Sequence, residues 1–218
     1  DHVTLESTFY SGRGDQGGSG TGSTSTATLA GQGLQLGLNM NIISDYLGMR
    51  TQYAHSKFDG DGIHDGDSAH RDDAWGATVT FNPLGQRLTS DGRIQSWTLT
   101  GQYEQIGTYF ETLLNPASEQ DRESWSLQSA YALGGLSFDS MLEWVQDNVN
   151  NFAALPRNRA LNVMGQLSYA PETPMFGSPV FTCGASVSDE GRLDTPAGYA
   201  GPDLDRTTTS LNGGMTMT

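Results

Sequence analysis

The residues of this chain best suited to chemistry crowd into one stretch, FDGDGIHDGDSAHRDD, from Phe58 to Asp73. Within it Asp59, Asp61, Asp65, Asp67, Asp72 and Asp73 are spaced by small residues, and His64 and His70 stand among them. Two kinds of chemistry suit such a set. Carboxylate oxygens on a Gly-rich loop form the hard oxygen cage that Ca2+ takes, and Asp59, Asp61, Asp65 and Asp67 are the candidate ligands. The spacing is not that of an EF-hand, because the glycine and the closing Glu are misplaced, so a cation site competes with a plain solvated acidic loop. A carboxylate–imidazole pair can also activate water, and His64-Asp65 with His70 offers one side of such a hydrolytic site. The second acid pair that this chemistry needs is carried by no recognisable phrase of the sequence. Separately, Arg13-Gly14-Asp15 is an adhesion-type tripeptide, common by chance, whose setting SGRGDQGG reads as a loop.

The bulk numbers narrow the setting. A length of 218 residues suits one domain, 1–218. The formal net charge is −14, and Lys57 is the single lysine among 11 basic residues. Holding phosphate backbones takes clustered Lys and Arg, so no nucleic-acid partner is expected. Charged residues make up 17%, below the roughly 25% usual for soluble domains. With Cys183 the only cysteine, no intrachain disulfide is possible. No apolar run approaches the roughly 20 residues of a membrane helix, so any membrane role falls to strands. The chain opens on Asp1 with no signal peptide, as expected of a processed chain or a piece of a longer one.

What must position these residues is a series of two-faced ribbons. In LQLGLNMNI, from Leu34 to Ile42, every second residue is large and apolar and the residues between are small or polar. Strict alternation predicts a β-strand with unlike faces. Ten such strands are expected, near 2–10, 27–43, 46–58, 74–82, 94–111, 123–133, 136–147, 159–170, 179–188 and 206–218. One face carries Leu, Met, Val, Phe, Tyr and Trp, and the other Gln, Asn, Ser, Thr and a few charges. No helical periodicity competes, so the fold class is all-β.

The connections alternate. Long polar ones near 11–26, 59–73, 112–122, 148–158 and 189–205 take turns with shorter ones at Ser44-Asp45, Gly134-Gly135 and Pro171–Ser178 and a middling one at Asn82–Arg93. A transmembrane barrel sorts its loops this way, long at one end and short at the other. The aromatics follow the same topology. Trp75, Tyr109, Trp125 and Trp144 are predicted near the long-loop end, and Tyr46, Phe81, Trp97, Tyr131 and Tyr169 near the short-turn end, as two interfacial girdles. The expectation is an antiparallel up-and-down transmembrane β-barrel of about ten strands, or a ten-strand part of a larger one. Cys183 then falls on the lipid-facing side as a small apolar residue.

The segments YEQIGTYFETLLNPASEQDRESWSLQSAYALGGLSFDSMLEWVQDNVNN and RNRALNVMGQLSYAPETPMFGSPVFTCGASVSDEG resemble hairpin units of bacterial outer-membrane barrels. More narrowly, DNVNN, LSYAP and DRTTTSLNGGMTMT resemble barrel domains of very large bacterial surface proteins. Thr218 departs from the terminal aromatic that many outer-membrane proteins carry. The resemblance, which covers about 94–218 best, implies a membrane-embedded pore or anchor and assigns no catalytic residue.

Taken together, a non-enzymatic protein of the bacterial outer membrane is expected. It would act as a pore or as the membrane anchor of a surface assembly, with the lipid bilayer, lipopolysaccharide and other chains of that assembly as partners. Glu6, Arg50, Glu104, Asp139 and Glu143 would face the lumen, as a pore lining or as a polar plug. No cofactor is expected beyond Ca2+ at the 59–73 loop. Two alternatives stay open: a secreted soluble β-protein that self-associates into a fibre or matrix through its sheet edges, and a surface hydrolase at the barrel mouth.

Overall fold

A computed structural model describes residues 2–15, 28–59, 70–110, 120–171, 177–202 and 204–217. They form β1 (Val3–Asp15), β2 (Thr28–Ile43), β3 (Leu47–Asp59), β4 (His70–Phe81), β5 (Arg87–Leu88), β6 (Ile94–Ile106), β7 (Arg122–Leu133), β8 (Leu136–Gln146), β9 (Arg157–Tyr169), β10 (Val180–Asp194) and β11 (Arg206–Thr216). Each strand pairs antiparallel with its sequence neighbours in one sheet, and β5 adds a two-residue ladder to β6. No helix and no second sheet occurs among the described residues. β1 and β11 are the two edges, and neither contacts the other.

All ten expected strands are present, and the eleventh, β5, lies in the middling connection after Phe81. That connection folds back on the sheet: Tyr46 O accepts from Asn82 N at 2.7 Å, and Thr89 N donates to Arg93 O at 2.9 Å. Three strands outrun their expected limits by four residues or more. β1 continues to Asp15, β4 starts at His70 and β10 runs on to Asp194. The Arg13-Gly14-Asp15 tripeptide is therefore not a loop. Its backbone pairs with Ala30, Leu29 and Thr28 at the end of the β1–β2 ladder.

β6 stops short instead, at Ile106 rather than near 111. Gly107 N still donates to Asp73 O at 3.0 Å, but Phe110 N turns back onto Gly107 O at 3.2 Å. The Asp72 carboxylate fills the space where a Cβ on Gly107 would stand, so the turn takes glycine there. Tyr109 consequently leaves the strand and stacks on His70, ring centroids 4.6 Å apart. At the other end β7 and β8 are joined by Gly134-Gly135 alone, with Gly134 at φ 53°. Such two-residue hairpin turns need positive φ, which glycine adopts without steric cost.

The sides of the sheet are reversed from those of a soluble protein. Along β10 the apolar members Phe181, Cys183, Ala185 and Val187 are exposed, while Thr182, Gly184, Ser186 and Ser188 between them are half-buried. Of the hydrophobic side chains described, Phe110 alone is buried, and the described residue most deeply buried is Ser56, at 1% exposure. A soluble antiparallel sheet puts its apolar face against a core and its polar face in water. Here no described residue covers the apolar face.

Candidate functional site

The uncovered face is a continuous belt with ordered borders. Reading across the strands, Leu36, Tyr53 and Trp75 share one ladder line. Tyr103, Trp125, Trp144 and Leu161 share the next line toward the short turns. Farther down lie Leu47, Phe81 and Leu99, then Trp97, Tyr131, Phe138 and Leu167, then Leu136, Tyr169, Phe181 and Met215. The upper border thus steps down two residues once, between β4 and β6, and the lower border does so twice on the way to β11. A level slab cutting a sheet of tilted strands has to cross the ladder lines at such a slant.

The borders also keep a constant separation. Trp75 and Phe81, Trp97 and Tyr103, Trp125 and Tyr131, Phe138 and Trp144 are each six positions apart on one face of one strand. Six residues rise about 20 Å along a strand, close to the roughly 25 Å apolar band of outer-membrane barrels. Trp125 and Trp144 stack with centroids 6.2 Å apart, and Trp75 meets Tyr103 at 4.5 Å. Trp97 Nε1 donates to Ser129 Oγ at 3.0 Å and Trp75 Nε1 to Gln105 Oε1 at 2.9 Å. Both of these indole N–H groups have an acceptor while their rings stand on the exposed face. Tyr103 stands in the row where the sequence suggested Tyr109; the fixed six-residue spacing is the sequence signal that picks it out.

Immediately above the long-loop border the same face turns polar. Tyr53 Oη donates to Asp73 Oδ1 at 2.7 Å, and His55 Nδ1 lies 2.7 Å from that oxygen. Tyr103 Oη donates to Glu123 Oε1 at 2.7 Å, and Gln146 Nε2 donates to Glu123 Oε2. Thr207 Oγ1 donates to Asp189 Oδ1 at 2.8 Å, with Arg159 at 3.6 Å from the same carboxylate. Every acid in this rim is held by its neighbours.

The opposite face carries the expected interior residues. Glu6, Arg50, Glu104, Asp139 and Glu143 all stand on the polar side by register. Glu143 is the one drawn into a network. Arg122 Nη2 reaches its Oε1 at 3.4 Å, Asn162 Nδ2 donates to its Oε2 at 3.1 Å, and Ser188 Oγ donates to Asn162 Oδ1 at 2.7 Å. This chain of polar contacts ties β7, β8, β9 and β10 together on one level.

At the long-loop end the DNVNN phrase builds a cap. Asn148 and Asn151 take left-handed φ of 51° and 55°, which Asn tolerates better than most residues. The Asn148 side chain accepts from Phe152 N at 2.8 Å and donates to Phe152 O and Leu155 O, each at 3.1 Å. Asp121 Oδ1 accepts from Thr108 Oγ1 at 2.7 Å and from Val149 N at 2.8 Å, linking the β6–β7 and β8–β9 connections.

The candidate cation ligands Asp61, Asp65 and Asp67, with His64, lie outside the described residues, and Asp59 is described only as the backbone end of β3. Of the histidines expected to serve hydrolysis, His70 is engaged by Tyr109. The carboxylate–imidazole pair among the described residues is His55–Asp73, and it stands on the apolar side of the sheet above Trp75. No protein-family model, no curated protein and no solved structure matches this chain.

Proposed function

We propose that the chain is a wall of a bacterial outer-membrane β-barrel, non-enzymatic, serving as a pore or as the membrane anchor of a surface assembly. One observation carries the reading: an uncovered apolar belt, bordered above and below by aromatics at a fixed six-residue separation. In water so continuous an apolar surface would drive association; in a bilayer it meets acyl chains, with the Trp and Tyr rows at the headgroups. The backbone edges of β1 and β11 need partners within hydrocarbon, so the ring is completed along them. These strands run in opposite directions, so antiparallel closure suits both edges. The polar face becomes the lumen wall, where Glu6, Arg50, Glu104, Asp139 and Glu143 meet water or one another.

The test is refolding from urea with and without phosphatidylcholine vesicles. The expected result is protease-resistant β-structure in vesicles and precipitation in plain buffer. A monodisperse folded chain in buffer would overturn the proposal. Planar-bilayer conductance then separates a pore, which passes ions, from an anchor, which does not. The free edges favour the second reading, a soluble chain that polymerises by strand addition; ordered fibres grown without amphiphile would establish it. A barrel-mouth hydrolase would need His55–Asp73 or the 60–69 segment to turn over a substrate, and Asp73→Ala or Asp65→Ala to abolish it.

A further inference from the structure

On the apolar side of β3 and β4 the cross-strand pairs change character in order. From the short-turn end they read Leu47/Phe81, Met49/Val79, Thr51/Ala77, Tyr53/Trp75, His55/Asp73 and Lys57/Arg71. Apolar pairs give way to an aromatic pair, then to a hydrogen-bonded polar pair, then to two cations. The last step is unusual on energetic grounds. Like charges directly opposite across an antiparallel ladder repel at a Cβ separation of about 5 Å and destabilise the pairing. The chain carries 25 acidic residues against 11 basic ones, yet its single lysine faces an arginine.

Among the described side chains the neighbours offer no internal relief. The ladder line through this pair reads Ser11, Gln32, Lys57, Arg71, without an acid. The acid two residues below Arg71 on the same face is Asp73, whose Oδ1 already meets Tyr53 and His55. Among the described residues neither Lys57 nor Arg71 has an ion-pair partner. The pair stands four residues beyond the Tyr53/Trp75 border, about 13 Å along tilted strands. Long basic side chains there can lean back toward the headgroup layer while their charges stay wet. Arg157 holds the equivalent position on β9, four residues beyond Leu161 in the border row.

We infer that Lys57 and Arg71 form a clamp for the phosphate of an anionic lipid headgroup at the long-loop face of the membrane. The bound phosphate replaces the missing acid and removes the repulsion between the two strands. The guanidinium supplies a planar fork for two phosphate oxygens and the ammonium a point charge for a third. This rests on the membrane reading above, and it adds a specific lipid class and the residues that select it.

The test uses the full chain reconstituted in phosphatidylcholine membranes containing spin-labelled phosphatidylglycerol or spin-labelled phosphatidylcholine, with the boundary lipid measured by electron paramagnetic resonance. Wild type is expected to prefer the phosphatidylglycerol label, and Lys57→Gln/Arg71→Gln to lose about fivefold of that preference per cation removed. Arg206→Gln, which removes one charge from the polar face of β11, keeps it, and inorganic phosphate does not displace the lipid. A double variant that retains the β-signal and the full preference overturns the clamp, as does a wild type without preference or one whose lipid is displaced by inorganic phosphate. Failure of the chain to enter either membrane has a different signature, no boundary lipid of any kind, and sinks the membrane reading together with the clamp.

Discussion

Two regions of this molecule obey opposite rules. In the belt between the aromatic rows, apolar side chains are spread outward with nothing of the protein against them, and order comes from backbone ladders. In the cap at the long-loop end, order comes from side chains. Asp121 holds Val149 N of the neighbouring connection, the Asn148 side chain holds Phe152 and Leu155 of its own, and Asn158 N donates to Asp147 Oδ1 at 2.6 Å. The contrast teaches where each stabilising force is available. On the proposed membrane reading, hydrocarbon gives no reward for clustering Leu with Leu, so the belt relies on backbone pairing. The long-loop end has no continuous apolar face, so polar side chains fix its turns.

The sharpest way to break this comparison is to charge each face at the same height. Leu127 and Gln128 are adjacent in β7 and point to opposite sides. Leu127→Arg should cost about 2–4 kcal/mol of folding free energy in vesicles, read by urea titration of the refolded chain. Gln128→Arg should cost about 0.5 kcal/mol or less. Equal costs for the two would mean that the faces do not differ in surroundings.

The cap should respond next. Asn148, 4% exposed, loses three hydrogen bonds in Asn148→Ala, leaving polar groups unpaired at a cost of about 1–3 kcal/mol. The loss should show as faster hydrogen exchange at 147–156 with the belt strands unchanged. Asn148→Gly should recover part of it, because glycine accepts the left-handed backbone.

The aromatic border is a smaller effect. A double-mutant cycle on Trp125 and Trp144 should return a coupling of about 0.5–1.5 kcal/mol in vesicles. A null coupling would mean that the stacked pair is incidental to the border.

The smallest lies at the short-turn end. A hydrogen bond from Thr89, then Arg93 through Nε at 2.6 Å, holds the Asp91 carboxyl below its ordinary value. A lowered folded-state value stabilises the turn at pH above the ordinary carboxylate range. That contribution is lost as pH falls below about 4 and through the depressed value. Protection factors at 87–94, taken against the intrinsic exchange rate at each pH, should therefore fall on acidification, and Asp91→Asn should flatten the profile.

The belt was legible in the sequence because alternation is a face signal, and the belt is where the faces differ most. Where β1, β4 and β10 pass beyond it, neither side is apolar, and residues such as Gly12, His70 and Glu190 give no alternation although the ladder continues. Strand ends there carry no sequence signal for that reason. The place of Tyr109 depended on Gly107 meeting Asp72 from another strand, a contact without a local signature. The five interior candidates share the polar side of the sheet, as their parity predicts. The links from Glu143 to Arg122 and Asn162 needed the register of three strands and could not be read from one. The same holds for Lys57 against Arg71, which are 14 positions apart in the chain.

Because each long strand touches only the strands before and after it in the chain, the wall is wired like a folding screen. Removing or inserting one adjacent pair of panels leaves the registers of all the others intact, and it preserves which end carries the long connections. Such a layout lets the sheet widen or narrow in steps of two strands by duplication or loss of a hairpin, without redesign of the remaining surface.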